Sequence, residues 1–184
     1  PRNLDAAFRQ VFNGGWTYSK QGATPNGTNG YADTKLVPSS VLSLNNTSMG
    51  YYSRTNSAAQ LSEYGCYDGV GFLQRTRRAN DTGGGYAYAG DQYISNTSSL
   101  GLFSLSRDSS TQFKFFKNGV SNVFTSNSVS MPSINVWVGA CNLFNSILEP
   151  SNRQCAFFYI GDGLSDTEAS AMYTSVQSYQ TSMQ

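Results

Sequence analysis

The sequence predicts an all-β protein, a sandwich of two antiparallel sheets, and three observations lead to this prediction. Short alternating or apolar runs recur along most of the chain, separated by Gly, Asn, Asp and Pro. Aromatic residues make up 14% of the chain and charged residues only 12%, so a core can form under a surface of hydroxyls and amides. A length of 184 residues fits one domain, and we expect residues 1–184 to form it.

The strands are predicted from these runs in chain order. The clearest signal is a hairpin in which Gln112–Lys117 and Val120–Thr125 flank Asn118 and Gly119, a pair that accepts the positive φ values of a type I′ turn. Residues 21–30 are rich in turn formers and are expected to form a loop. The remaining predicted strands are Trp16–Ser19, Tyr31–Leu36, Val41–Leu44, Met49–Arg54, Val70–Arg77, Gly85–Ala89, Gln92–Ser95, Leu100–Ser106, Ser133–Cys141 and Cys155–Ile160.

A short N-terminal helix is expected within residues 1–15. Phe8 and Phe12 are four residues apart and Val11 lies beside them, so the three side chains would share one face of a helix over Asp5–Phe12. The two glycines that follow would end it, because glycine accepts the left-handed conformation found at helix ends.

A C-terminal amphipathic helix is expected within residues 164–183. Ser165 and Glu168 have the spacing of a capping box, in which each side chain satisfies a backbone amide of the first turn. Apolar residues then recur at helical spacing and predict the face that packs on a sheet. These residues are Ala169, Met172, Tyr173, Val176, Tyr179 and Met183.

The composition excludes several functions. Histidine is absent, so the chain holds no Ser-His-Asp triad and no histidine-ligated zinc. The 12 Lys and Arg residues nearly balance the 11 Asp and Glu residues, so we expect no nucleic-acid partner. No apolar run approaches the roughly 20 residues of a membrane span, and we expect no membrane insertion.

No cofactor or metal site is predicted either. Cys66, Cys141 and Cys155 show no metal-ligand spacing. They are expected to be buried thiols, with a Cys141–Cys155 disulfide as the alternative. Calcium needs several close oxygen ligands. The best acidic stretches, around Asp81 and from Asp162 to Asp166, are more typical of a turn and a helix cap.

Three blocks occur in an order that resembles a known family. They are Asn26–Pro38, Phe115–Val120, and Ala156–Gly161 followed by Leu164–Glu168. In this order they resemble the laminin-G-like domains of the concanavalin A-like lectin/glucanase superfamily, of the kind found in phage virion and tail proteins and in bacterial surface proteins. The resemblance covers about residues 5–182 and implies a jelly-roll topology for the predicted sandwich.

The function that this resemblance implies is non-enzymatic. We expect a binding or decoration domain of a phage tail, fibre or capsid surface, which contacts a host-surface glycan or a neighbouring virion protein. Its location would be the virion surface, and a homo-oligomer stays possible. The first alternative is a lectin-like adhesion module, secreted by a bacterium or held on its surface, and the second is a glycoside hydrolase.

The acidic residues favour binding over hydrolysis. Glycoside hydrolysis needs two carboxylates that flank the scissile bond. Glu63, Glu149 and Glu168 do not form the one-strand pattern of the superfamily's glucanases, and Glu168 is accounted for by the capping box. The other two glutamates are expected to be solvated beside turns, while a distant pair such as Asp91 and Asp108 stays open. We therefore predict that the protein is not an enzyme.

Two clusters of aromatic and polar residues are candidate glycan sites. Sugar rings stack on flat aromatic rings, and neighbouring Asp, Gln or Arg side chains can bind sugar hydroxyls. The first cluster consists of Tyr86, Tyr88, Asp91, Gln92 and Tyr93, and the second contains Tyr52 and Arg54. In both clusters, the alternative is that the tyrosines pack their rings inside the sandwich.

Arg75, Arg77 and Arg78 form the only basic cluster in the sequence. On a strand, Arg75 and Arg77 would share a face. This pattern is typical of a solvated edge strand that resists aggregation. Contact with an acidic glycan or partner is the alternative.

Overall fold

Two β-sheets packed face to face form the body of the protein. The computed structural model describes residues 10–183. The helices of this range are α1 (Pro38–Val41) and α2 (Asp166–Ser182). Its strands are β1 (Val11–Asn13), β2 (Trp16–Ser19), β3 (Gly22–Pro25), β4 (Tyr31–Asp33), β5 (Thr47–Ser53), β6 (Tyr64–Tyr67), β7 (Gly71–Arg75), β8 (Thr82–Ala87), β9 (Gln92–Ser95), β10 (Gly101–Arg107), β11 (Gln112–Lys117), β12 (Val120–Thr125), β13 (Trp137–Val138), β14 (Cys141–Leu143), β15 (Ser146–Leu148) and β16 (Cys155–Gly161).

The strand order confirms the predicted two-sheet antiparallel sandwich. Sheet A runs β1-β4-β13-β6-β7-β8-β9, with β14 beside β6 and β15 beside β14. Sheet B runs β12-β11-β10-β5-β16-β3-β2. Among the described strands, β14 with β6 is the parallel pair and the other pairs are antiparallel. Neighbours that are distant in sequence, such as β5 between β10 and β16, show that the chain crosses between the sheets as in a jelly roll.

The hydrophobic core lies between the inner faces of the two sheets. In β5, alternation turns Met49 and Tyr51 inward, while Tyr52 belongs to a second apolar cluster on the outer face of sheet B. Each buried large apolar side chain contributes roughly 1.5–3 kcal/mol, so this interior holds the sheets together. The fully buried aromatic side chains of the core include Tyr51, Tyr64, Tyr88, Phe72, Phe103, Phe113 and Phe115.

The predicted C-terminal helix is confirmed as α2, and it packs on the outer face of sheet B. Ser165 is the N-cap and forms the capping box with Glu168. Val176 is buried against Tyr52 and Leu102 of sheet B. The predicted apolar face is wrong in one position, because Tyr179 is 56% exposed. The next residue, Gln180, is buried instead.

The expected N-terminal helix is wrong where the structure describes it. Most of Asp5–Phe12 lies outside the described residues, and residues 10–15 contain no helix. Val11–Asn13 forms β1, which pairs with β4. Phe12 contacts the rings of Trp16 and Tyr18 edge-on, with centroids 5.0 and 5.7 Å away. Pairing with a distant strand therefore outweighs the local helical spacing.

Several other strand boundaries also differ from the prediction. The expected strand Val41–Leu44 is wrong: Pro38 starts helix α1 there, because proline is well placed in a first helical turn. The expected loop 21–30 contains β3, which pairs with β2. The expected strand Ser133–Cys141 is reduced to β13 and the start of β14. Strands β6 and β15 were not predicted.

The three cysteines are free thiols. Cys66 and Cys141 are buried and Cys155 is half-buried. The alternative of a Cys141–Cys155 disulfide is wrong, because both thiols are free. Burial raises the pKa of Cys141 and of Cys155 to about 12. Both thiols therefore stay protonated near neutral pH.

Candidate functional site

The outer face of sheet A carries a row of aromatic and charged side chains. Arg75 of β7 and Tyr93 of β9 both lie opposite Gly84 of β8 in the strand register. Because Gly84 has no side chain, the two long side chains meet above it, and Arg75 Nη1 donates a hydrogen bond to Tyr93 Oη. Gly84 has a φ of +154°, and a Cβ there would lie 2.1 Å from the Gln92 carbonyl oxygen. The row therefore depends on glycine at this position.

Arg75 is held by a carboxylate from a distant loop. Its Nε donates to Glu149 Oε2 at 2.6 Å and its Nη2 donates to Oε1 at 3.1 Å. Ser62 Oγ and Gln60 Nε2 donate to the same carboxylate at 2.7 and 2.8 Å. Burial opposes the charge of Glu149, but the hydrogen bonds and charge of Arg75 outweigh it and lower the Glu149 pKa.

Two expectations are wrong at this point. Glu149 was expected to be solvated beside a turn, and the arginine cluster was expected on a solvated edge strand. Instead Arg75 is only 5% exposed, and β7 lies inside sheet A between β6 and β8. Arg77 is paired with Asp81. The bidentate contact with Glu149 holds the Arg75 guanidinium in one orientation.

Tyr93 contacts a second arginine, Arg78, through its ring and an aspartate, Asp91, through its hydroxyl. Its hydroxyl donates to Asp91 Oδ2 at 2.6 Å. The guanidinium carbon of Arg78 lies 4.1 Å from the centroid of the Tyr93 ring, and Arg78 Nε donates to Gln60 Oε1 at 2.9 Å. Burial and the neighbouring Asp91 raise the pKa of Tyr93. One face of this ring is thus covered by a cation held in place.

Tyr86 lies beside this network, with the guanidinium carbon of Arg75 5.9 Å from its ring centroid, and it lines a pocket. It contacts the Tyr67 ring edge-on, with centroids 5.8 Å apart, and Tyr67 similarly meets the exposed Phe144 at 6.3 Å. The pocket has a volume of about 570 Å³. Burial, and then the charge of Asp91, raises the pKa of Tyr86. We call the surface formed by Tyr67, Tyr86, Tyr93, Arg78 and Asp91 the Tyr86 face.

The structure removes Tyr88 from the candidate site. Tyr88 is fully buried and contacts the Phe72 ring at 4.9 Å. Regular alternation would place it on the same side as Tyr86, but β8 ends at Ala87 and Tyr88 has a φ of +59°. This left-handed residue interrupts the alternation, and the ring enters the core.

Gln92 lies next to the Tyr86 face without belonging to it. It is half-buried, and in the strand register it lies opposite Gly85, whereas Tyr93 lies opposite Gly84. Successive residues of a strand point to opposite faces. Gln92 therefore points away from the row that Tyr93 joins.

The second predicted cluster lies beneath helix α2. Tyr52 Oη donates to Gln177 Oε1 at 2.8 Å. Arg54 donates through Nε and Nη2 to Gln180 Oε1 at 3.0 and 2.8 Å, and through Nη2 to the Gln180 carbonyl oxygen at 2.9 Å. These contacts anchor the helix to sheet B, so the cluster stabilises the fold.

The other carboxylates are also engaged. Glu63 was expected to be solvated, but it is fully buried in an ion pair with Arg153. Arg153 Nη2 also donates to three backbone carbonyl oxygens at 2.6 to 3.1 Å. Asp108, the other member of the open carboxylate pair, follows β10 in sheet B and lies 3.6 Å from Lys114 Nζ. Asp91 lies on the β8–β9 turn of sheet A.

Between residues 10 and 183, no three His, Cys, Asp or Glu side chains lie close enough together to hold a metal ion. Asp81 is paired with Arg77, and Asp166 with Lys114. None of the described helices has the length and apolar character needed to cross a membrane.

The sequence analysis missed Tyr67, Asp68 and Glu149 as components of this region, and it named Arg78 only as part of the basic cluster. One usable signal existed, because Asp68-Gly69 between Tyr67 and Val70 is typical of a hairpin turn. That signal would have identified β6 and placed Tyr67 at its end. Glu149 had no local signal, since its partner Arg75 is 74 residues away.

Comparison with known proteins gives structural matches only. No protein-family model matches the chain, and no curated protein sequence matches it. A sialidase from Trypanosoma rangeli aligns over 88% of this chain with a TM-score of 0.60 at 12% identity. The chain spans only 28% of the length of that sialidase.

Two further solved structures have the same fold. Domain 4 of AbnA, an extracellular arabinanase from Geobacillus stearothermophilus, aligns over 88% of this chain and 82% of that chain, with a TM-score of 0.51 at 14% identity. A structure of HCR/D aligns over 95% of this chain and 49% of that chain, with a TM-score of 0.59 at 11% identity. At these identities the likeness shows the fold alone, a two-sheet β-sandwich.

Proposed function

We propose that this protein is a non-catalytic carbohydrate-binding domain and that the Tyr86 face is its binding surface. One observation carries the proposal: a half-buried tyrosine ring stands at the rim of a 570 Å³ pocket, directly beside a fixed network of Arg, Asp and Tyr side chains. Aromatic faces contact the C–H groups of a sugar ring, and the charged groups hydrogen-bond its hydroxyls.

The rigidity of the network supports this proposal. Arg75 is fixed by Glu149, and Tyr93 is fixed between Arg75 and Asp91. Arg78 is fixed by Gln60 and by the Tyr93 ring. Groups that are already ordered lose little conformational entropy when a ligand binds. A surface of this kind suits a polar ligand of low intrinsic affinity, such as a short glycan.

A binding role is favoured over hydrolysis by the state of the three glutamates. Glu63 is fully buried with Arg153, Glu149 is paired with Arg75, and Glu168 caps α2. A glycosidase instead needs one carboxylic acid and one free carboxylate on either side of the scissile bond. The solved domain 4 of AbnA is in complex with arabinotriose, which makes oligosaccharide binding a reasonable role for this fold.

The first test is a glycan array with the purified protein and two tyrosine variants. We expect saturable binding to one glycan class, reduced about tenfold or more in Tyr86→Ala. Tyr179→Ala is the matched control, because Tyr179 is exposed on α2, and it should bind as the wild type does. Incubation with the bound glycan should release no reducing ends. Absence of binding to every glycan, or full binding by Tyr86→Ala, would overturn the proposal.

We also propose that the domain is displayed at the surface of a phage virion, on a tail, a fibre or the capsid, where it contacts a glycan of the host surface. The order of the three sequence blocks supports this setting. A bacterial adhesion module would use the same chemistry in another location. Fluorescently labelled protein should bind intact bacteria saturably and be displaced by the glycan selected on the array; binding that this glycan does not displace would count against a host-glycan role.

A further inference from the structure

The pocket beside Tyr86 is open to solvent and is bordered by three segments of the chain. They are the β6–β7 turn at Asp68, the β8–β9 turn at Gly90, and the loop of residues 129–133. The rings of Tyr67 and Tyr86 form a wall that the pocket shares with the Tyr86 face. Its volume of about 570 Å³ lies within the roughly 300–1,000 Å³ of typical small-molecule sites. A ligand on the Tyr86 face could therefore extend into it.

The pocket contains one charged group, the carboxylate of Asp68. Its Oδ2 accepts hydrogen bonds from the backbone N–H and the hydroxyl of Ser133, at 2.9 and 2.8 Å. These two bonds fix the carboxylate against the 129–133 loop. Within residues 10–183, Asp68 Oδ1 has no hydrogen-bond donor and Asp68 has no ion-pair partner. That oxygen is free to accept hydrogen bonds from a ligand.

The lining residues include no lysine or arginine to compensate this charge. Of the nearby arginines, Arg75 is neutralised by Glu149, and Arg78 lies over the Tyr93 ring, outside the pocket lining. An isolated carboxylate accepts hydrogen bonds from hydroxyls and repels a second carboxylate. The charge of the pocket therefore discriminates between uncharged and acidic sugars.

Two glycines, Gly69 and Gly90, are among the residues that line the pocket. A Cβ placed on Gly69 or on Gly90 would meet no atom within 4 Å. Gly69 has a φ of +111°, which requires glycine, whereas Gly90 does not lie in the left-handed region. Because Gly90 lines the pocket, a large side chain there can narrow it without a clash at Cβ and without straining the backbone.

We infer that this pocket binds one uncharged sugar residue of the glycan, with hydroxyls that donate to Asp68 and a ring that contacts Tyr86, and that it excludes the corresponding acidic sugar. This inference rests on the proposed carbohydrate-binding function and adds its specificity. The selected glycan would place a hexose rather than a hexuronic acid in the pocket.

The location is tested by filling the pocket. Gly90→Trp should weaken binding of the array-selected glycan about tenfold or more. Gly161→Trp is the matched control, because a Cβ at Gly161 also meets no atom within 4 Å and Gly161 has no left-handed φ. Gly161 lies in sheet B, so this variant should bind normally. The two thermal unfolding midpoints should match that of the wild type.

The specificity is tested with glycan pairs that differ only in one carboxylate, glucose against glucuronic acid and galactose against galacturonic acid. The wild type should prefer the neutral member about tenfold or more. Asp68→Asn keeps an acceptor for Ser133 but removes the charge, so the preference should fall severalfold.

The outcomes separate this inference from the function on which it rests. Glycan binding that depends on Tyr86, but is insensitive to Gly90→Trp or is equal for both members of each pair, would overturn the inference and leave the proposed function intact. Absence of binding to any glycan would overturn both. A preference for the neutral sugar that Asp68→Asn does not change would also overturn the assignment of Asp68.

Discussion

Two clusters of tyrosine and arginine lie on the outer faces of the two sheets, and they differ in what covers them. On sheet B, Tyr52 and Arg54 are covered by α2 and hydrogen-bond to its glutamines. On sheet A, Tyr93 and Arg75 bond to each other, and Tyr86 borders an open pocket. The residue types are the same in both places. The element that lies over the sheet decides whether they stabilise the fold or remain available to a ligand.

The partners of each cluster explain the difference further. Gln177 and Gln180 belong to α2, so every hydrogen bond from Tyr52 or Arg54 to them fixes the helix to the sheet. The partners of Arg75 are side chains of the same surface and of one loop. Those bonds order a surface and attach no helix. Substitutions in the two clusters should therefore separate stability from binding.

The largest expected effect is the loss of stability on replacing Tyr52. Tyr52→Ala removes a ring from between sheet B and α2 and should cost about 3–4 kcal/mol, as for other large aromatic-to-alanine changes. Tyr52→Phe loses only the bond to Gln177 and should cost about 1 kcal/mol. Chemical denaturation measures both. A cost below about 1 kcal/mol for Tyr52→Ala would mean that α2 does not depend on this contact.

A smaller effect is expected at the Arg75–Glu149 ion pair, which supports the Tyr86 face through Tyr93. Glu149→Gln replaces a charged acceptor of Arg75 by a neutral one and should cost about 2 kcal/mol at pH 7. The same variant should lower glycan affinity, because Arg75 then holds Tyr93 less firmly. Unfolding free energies and array titrations measure the two effects. Unchanged binding with lower stability would mean that this ion pair, like the Tyr52 cluster, only stabilises the fold.

The pH dependence gives a second measurement on the same pair. The Glu149 pKa is lower in the folded protein than the value of about 4.3 expected for an unfolded chain. Its contribution to stability is therefore complete above that unfolded value and is lost as the pH falls through the lower, folded value. Wild-type stability should fall more steeply than that of Glu149→Gln below about pH 4.5. Parallel curves for the two proteins would contradict this assignment.

The parts of the fold that the sequence predicted correctly depend on local interactions. Asn118 and Gly119 have φ values of 52° and 78°, and their hairpin strands have the expected bounds. The capping box at Ser165 also formed as expected. Each of these signals lies within a few residues of the structure that it specifies, so short-range stereochemistry is sufficient to predict it.

The candidate site was predicted only in part, because its geometry depends on distant segments. Tyr86, Asp91 and Tyr93 were identified from their composition. The burial of Tyr88 depends on one left-handed residue, which alternation does not foresee. Glu149 reaches Arg75 across 74 residues, and a contact at that separation is set by how the sheets and loops pack. The cover of α2 over Tyr52 has the same kind of origin.

The smallest expected effect on stability is that of Tyr86→Ala, and it makes the comparison decisive. Tyr86 is half-buried; its ring meets Tyr67 edge-on and lies 5.9 Å from the guanidinium carbon of Arg75, so its loss should cost about 1 kcal/mol. Glycan affinity should nevertheless fall about tenfold or more. Denaturation and array binding are measured on the same preparation, with Tyr52→Phe as the counterpart of similar cost. If Tyr52→Phe lost as much affinity as Tyr86→Ala at equal stability, binding would follow global stability and the Tyr86 face would have no special role.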